Sequence, residues 1–161
     1  MGWLILDKNV TKDSLSLSMI SQIKKRILFL VTVSAKESSV YKKGQLVYSS
    51  QFRKTNDETK VDKQTKFIAG RYVVIEDGEL QNLSYSFIGF NLLSLYFNEP
   101  VGITTVYCDK QSCFVEVTKT NDGGYKVKFP DGNSNCFYYT NGVCTKILIS
   151  HTFYSAQIIL N

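Results

Sequence analysis

Between Ser112 and Thr145 the chain runs in short stretches that alternate apolar and polar residues. Each stretch ends at residues that tolerate positive φ, so few folds other than an antiparallel meander remain open to it. Cys113, Val115 and Val117 fall on one face of a strand, with Phe114, Glu116 and Thr118 on the other. Asn121-Asp122-Gly123-Gly124 turns the chain into Tyr125, Val127 and Phe129, which alternate with Lys126 and Lys128. Pro130-Asp131-Gly132-Asn133 makes the next turn. Asn141-Gly142 between two further apolar runs is a strong two-residue hairpin signal.

All four cysteines, Cys108, Cys113, Cys136 and Cys144, lie in this half of the chain. Asp109 to Ser112 is the length of a four-residue hairpin loop, which sets Cys108 opposite Cys113 and makes a disulfide there geometrically easy. A two-residue turn at Asn141-Gly142 sets Tyr139 opposite Cys144 and Cys136 opposite Ile147, so Cys136 and Cys144 point to opposite faces. Buried free thiols, disulfides and a zinc site all remain open. The Cys-x4-Cys and Cys-x7-Cys spacings are not those of a common zinc knuckle.

A chain of 161 residues is long enough for one domain over 1–161 with a core of its own. Its bias toward Tyr, Phe, Val, Ile, Ser and Thr, with two prolines, favours pleated surfaces. The expected fold is mainly β, with α+β as the alternative. It is an antiparallel sandwich or barrel of roughly nine to twelve short strands with one N-terminal helix. That helix is expected from Thr11, Asp13 and Ser14 as N-cap groups ahead of Leu15, Met19, Ile20, Ile23 and Ile27. Trp3–Leu6, Ile27–Val33, Gln45–Phe52 and Phe67–Ile75 read as strands, and Ser84–Phe97 as one or two more. The run RKTNDETKVDKQTK, residues 53–66, holds a single apolar residue and reads as a long solvated loop. HTFYSAQIIL reads as a last strand. No stretch has the ~18 apolar residues of a bilayer-spanning helix, which predicts a soluble chain.

Catalytic signals are sparse. The lone histidine, His151, lies seven residues from Cys144 on an expected strand, where odd spacing separates a nucleophile from its base. Glu76, Asp77 and Glu79 crowd a turn around Gly78, which reads as an ordinary solvated turn rather than a cation site. No phosphate loop, paired-cysteine redox motif or cofactor signature is present, so the chain is expected to be non-enzymatic and free of cofactors and metals.

Charge is uneven. Residues 1–71 carry fourteen Lys and Arg against six Asp and Glu, and residues 72–161 carry five against eight. Lys24, Lys25, Arg26, Lys42, Lys43, Arg53 and Lys54, interleaved with Tyr41, Tyr48 and Phe52, form a candidate binding set. It would suit a protein partner or, as the alternative, a nucleic acid held on a β-barrel. The clustered cysteines favour an extracellular over a cytoplasmic setting, and the first expectation is a secreted protein-binding module.

Two sets of fragments resemble known families. MGW, VSAKESS, AGRYVVIEDGELQ and FVEVTKT, under a third of the chain, resemble pieces of profilin. This implies actin and proline-rich ligands and an amphipathic C-terminal helix. GGYKVKF followed by Cys136 and Cys144 is similar to the late strands and disulfide of plant Kunitz-type inhibitors, which are β-trefoils. No family is identified from either.

Overall fold

Alternation carries almost the whole chain into strands. The structure is a computed structural model that describes residues 2–26, 30–152 and 154–161, with backbone alone for Lys25 and Arg26. Seven strands form one antiparallel meander: β1 (Gly2–Val10), β2 (Ser14–Arg26), β3 (Leu30–Lys42), β4 (Gln45–Thr55), β5 (Glu58–Ile68), β6 (Arg71–Glu76) and β7 (Glu79–Asn82). An irregular connector containing a 3₁₀ turn at Leu92–Tyr96 leads into the second sheet. That sheet holds β8 (Thr105–Cys108), β9 (Cys113–Lys119), β10 (Tyr125–Lys128), β11 (Ser134–Thr140), β12 (Val143–His151) and β13 (Tyr154–Ile159). The fold is thus mainly β in two antiparallel sheets, and no barrel closes.

The N-terminal helix is absent: the segment expected to hold it is β2, paired along its whole length with β1 and β3. The physical reason lies in Ser14-Leu15-Ser16-Leu17-Ser18-Met19. Its strict alternation buries Leu17 and Met19 and turns the serines outward, a pattern that overrides the helical spacing of the same apolar residues. Ile27 to Phe29, the start of the expected central strand, lie outside the described residues.

The expected loop at 53–66 is the β4–β5 hairpin instead. Asn56 and Asp57, with φ of 48° and 65°, make its two-residue turn, and Lys63 and Thr65 are buried. Its polar composition hid a strand because the core against this part of the sheet is itself polar. Lys43-Gly44 turns β3 into β4 with φ of 49° and 77°, a turn not foreseen because a lysine fills the first left-handed position. The expected strand pairing within Ser84–Phe97 is replaced by the irregular connector and its 3₁₀ turn. The amphipathic C-terminal helix implied by the profilin resemblance is replaced by β12 and β13.

Two cores meet at the connector. Leu17, Met19, Tyr41, Leu46, Tyr72, Ile88, Leu93 and Tyr107 form the one against the first sheet. Leu95, Val106, Val115, Val127, Phe137 and Ile147 belong to the one on the second sheet. Leu93 and Leu95, two residues apart in the 3₁₀ turn, enter different cores, as do Val106 and Tyr107 on opposite faces of β8. The sheets are joined through these shared elements.

Candidate functional site

The register of the first sheet sorts the candidate binding residues by face, because residues opposite one another in an antiparallel ladder share a face. Ile5, Ile20, Lys36, Phe52 and Asp62 form one continuous row across β1 to β5 on the outer face. Trp3, Gln22, Ser34 and Lys54 form the next row, and Val40, Tyr48 and Lys66 lie in another. Lys24 and Lys42 occupy the same face. Lys54 sits over the Phe52 ring, 5.6 Å from its centroid. The outer face thus gathers Lys24, Lys36, Lys42, Lys54 and Lys66 against Asp7 and Asp62.

Of the sequence-derived set, Lys24, Lys42, Tyr48 and Phe52 come together on this face. Tyr41 and Arg53 point to the inner side, and Lys43 lies in the β3–β4 turn. The side chains of Lys25 and Arg26 lie outside the described residues. Lys54, also in the sequence-derived set, joins the outer-face group, while sequence reading missed Trp3, Ile5, Ile20, Lys36 and Lys66. Their signal was strand parity, which shows them on one face only when the segments around them are read as strands. The exposed Trp3 (49%), Ile5 (60%) and Ile20 (40%) form the apolar end of the face.

The inner face of the same sheet carries a polar cluster. Asn91 is fully buried and makes a bond with every polar atom of its side chain. Its Nδ2 donates to Ser39 Oγ at 2.7 Å and Asp109 Oδ2 at 2.9 Å, and its Oδ1 accepts from Tyr41 Oη at 2.8 Å. The same Oδ1 caps the 3₁₀ turn by accepting from Ser94 N and Oγ. Ser49 Oγ donates to Asp109. Lys63 Nζ donates to the Lys110 carbonyl at 2.8 Å and pairs with Glu76 at 3.0 Å, which clamps the β8–β9 loop to the first sheet. Gln51 Nε2 donates to Glu37 Oε1 at 3.0 Å.

Burial pushes the Asp109 carboxyl up to about 6, against the opposing bond from Ser49, and nearby Glu37 adds to the rise. Burial raises Glu37 as well, opposed by Gln51 and Arg53. Two clefts among the described residues, of about 340 and 300 Å³, touch the rim of this cluster: one beside the β1–β2 turn is lined in part by Tyr41 and Ser94, and one at the β6–β7 turn in part by Glu76. The polar cluster reads as internal scaffolding, with most of its donors and acceptors spent on each other and the buried Gln51 Oε1 left without a partner.

Cys108 and Cys113 do face each other across the β8–β9 hairpin, but all four thiols are free, which corrects the disulfide expectation. The compartment argument built on disulfides falls with it. Burial raises the thiols of Cys108 and Cys144 to about 11, out of the reactive range. A bulge after Tyr138 places Cys136 opposite Leu148 rather than Ile147, and Cys136 and Cys144 still point to opposite faces. The same bulge brings Cys144 and His151 onto one face, contrary to the odd-spacing argument, yet they remain ~20 Å apart along the strand. Glu76 is engaged by Lys63, and Asp77-Gly78, with φ of 51° and 82°, form the expected tight turn.

A family model described as "Domain of unknown function (DUF6134)" matches residues 1–161. The chain belongs to that family. No curated protein and no solved structure matches it. Among the described residues no helix is long and apolar enough to cross a membrane.

Proposed function

We propose that the chain is a non-catalytic recognition module that binds a protein partner through the outer face of its first sheet. The observation that supports this is the row Ile5–Ile20–Lys36–Phe52. It sets two exposed aliphatic side chains beside a lysine and an aromatic ring on the outer face of the sheet. Exposed aromatic and aliphatic side chains are the apolar anchors a protein partner can desolvate, and the lysines beside them favour a partner of acidic surface. The test places a photo-crosslinking amino acid at Phe52, with Lys126 on the outer face of the second sheet as control, and irradiates in extract of the source cells. A discrete protein adduct is expected at the first position alone, and Lys36→Glu should remove it. Equal adducts at both positions, or none, would reject the reading.

The lysines of this face, with Tyr48 and Phe52 among them, support a second reading in which the partner is a single-stranded nucleic acid. Oligonucleotide binding by fluorescence anisotropy separates the two. Micromolar or tighter binding that weakens steeply with salt would favour the nucleic acid, and no binding at low salt would remove it.

A further inference from the structure

The sheet edges are unequal. β1 presents nine residues, whereas β7 and β8 present four each and β13 six. β8 is also partly covered, since Asn91 bridges to Tyr107. A long edge strand invites pairing with another chain, and folds normally guard one with charge, proline or a bulge. β1 has no proline, and its register with β2 is unbroken from Gly2 to Val10. Asp7 and Lys8 guard its second half, while Trp3-Leu4-Ile5-Leu6 is unguarded and leaves Trp3 and Ile5 about half exposed or more.

The sequence of β1 selects what can pair with it. In an antiparallel twofold seam that keeps the sheet faces continuous, each residue meets one of its own parity. An axis at Asp7 would oppose that carboxylate to its own copy. An axis at Leu6 would set Ile5 against Asp7 and Leu4 against Lys8. An axis at Leu4 would pair only Gly2–Leu6 among the described residues. An axis at Ile5 avoids all three faults: Ile5 meets its own copy, Leu4 meets Leu6, Trp3 meets Asp7 and Gly2 meets Lys8, with no like charges opposed. On the outer face it completes an unbroken aliphatic row of Ile20, Ile5 and the same two residues of the second copy, because Ile5 already lies opposite Ile20. On the inner face it joins the Leu4 and Leu6 pairs of both copies.

We infer that the chain forms a twofold dimer by antiparallel pairing of β1 with β1 of a second copy, centred on Ile5, which joins two seven-stranded sheets into one. A single-strand seam is smaller than the roughly 1,600 Å² of a standard interface, so association belongs in the micromolar range. The hetero-partner reading shares Ile5 and Ile20 with this seam but is separable from it: Lys36 and Phe52 take no part in the seam, and Lys36→Glu should leave the dimer intact.

Sedimentation velocity of the full chain from about 1 to 500 µM, under reductant, tests the association. Reversible dimerisation is expected, weakened ~10-fold or more by Ile5→Lys, a change the exposed position accommodates without unfolding. Register is tested by mild oxidation of Ile5→Cys and Asp7→Cys against the parent chain. Position 5 meets itself and should cross-link, whereas two copies of position 7 lie ~14 Å apart and should not. A monomer at the highest concentration, an unaltered dimer in Ile5→Lys, or equal cross-linking at both positions would overturn the proposal. So would cross-linking of position 5 to a different protein in cell extract but not to itself, which would give the edge to that partner.

Discussion

Asp109→Asn should flatten the dependence of stability on pH. In the native chain Asp109 accepts from Ser49 Oγ and from Asn91 Nδ2, and burial, with Glu37 nearby, lifts its carboxyl from 3.8 to about 6. The native state therefore holds a proton more tightly than the unfolded chain does. The associated stability is fully present below the unfolded value and is lost as pH rises through the native one. Two pH units correspond to about 3 kcal/mol at most, and because the side chain is only partly buried the working range is ~1–3 kcal/mol. Glu37, raised mainly by burial, contributes with the same sign. His151 is lowered mainly by burial, so its contribution is lost as pH falls, but it is common to parent and variant and cancels in their comparison. An asparagine can keep both bonds, accepting from Asn91 and donating to Ser49, whose hydroxyl turns to accept. Urea unfolding followed by circular dichroism at about pH 4.5, 6 and 8 measures the effect. The parent should lose ~1–2 kcal/mol more than the variant between the lowest and highest pH, because about a third of the full effect is already gone at the lowest, which lies above the unfolded value. Parallel curves, or a parent that gains relative to the variant as pH rises, would refute the reasoning.

Asn91→Ala removes the buried hub of the polar cluster and should cost ~2–4 kcal/mol in urea unfolding, since Tyr41 and Ser39 lose their buried partner; a loss under ~1 kcal/mol would show the hub to be dispensable. Leu95→Ala, at a fully buried position in the second core, should cost ~2–5 kcal/mol on the same assay. Brief alkylation of the native chain near pH 8 should label the part-exposed Cys113 and Cys136 ahead of the buried Cys108 and Cys144, with all four labelled after unfolding without reductant. Thiols that stay blocked after unfolding would mean disulfides.

The second sheet was legible because its strands obey one rule throughout. Val115, Val117, Tyr125, Val127, Phe137 and Ile147 point to a single apolar core, and the three turns from β9 to β12 carry Gly with Asn or Asp. What misled was a bulge: the extra residue, Thr145 on β12 opposite the Tyr138–Tyr139 step, shifts strand parity, so the faces of Cys144 and His151 relative to one another could not be counted from sequence alone. In the first sheet β2 was mistaken for a helix and β5 for a loop for a shared reason. Ser14, Ser16 and Ser18 give little contrast against Leu and Met, and Lys63 and Thr65 are polar residues facing inward. The outer face was half seen, because lysines and aromatics were gathered by closeness in sequence, while the fold gathers them by parity across five strands.

The same polarity explains how the first sheet is specified. Across its middle, Ser18, Ser38 and Ser50 line the outer face while Ser39, Ser49 and Thr65 line the inner one, so hydrophobic contrast there says little about register. Register must come from elsewhere, and two sources are visible. The left-handed turns at Lys43-Gly44 and Asn56-Asp57 fix the hairpins locally. Asn91 and Asp109 then read the inner face directly, since their bonds to Ser39 and Ser49 form only when β3 and β4 present those serines on the same side. A slip of one residue that brings Val40 or Tyr48 to those places would remove the bonds and leave the buried Asn91 amide short of a partner. The opposite slip, toward Ser38 or Ser50, keeps a hydroxyl there and is opposed by the turns alone. The polar cluster thus supplies the specificity that an apolar core supplies in the second sheet, and it leaves the outer face free to carry lysines and aromatics that the fold itself does not require.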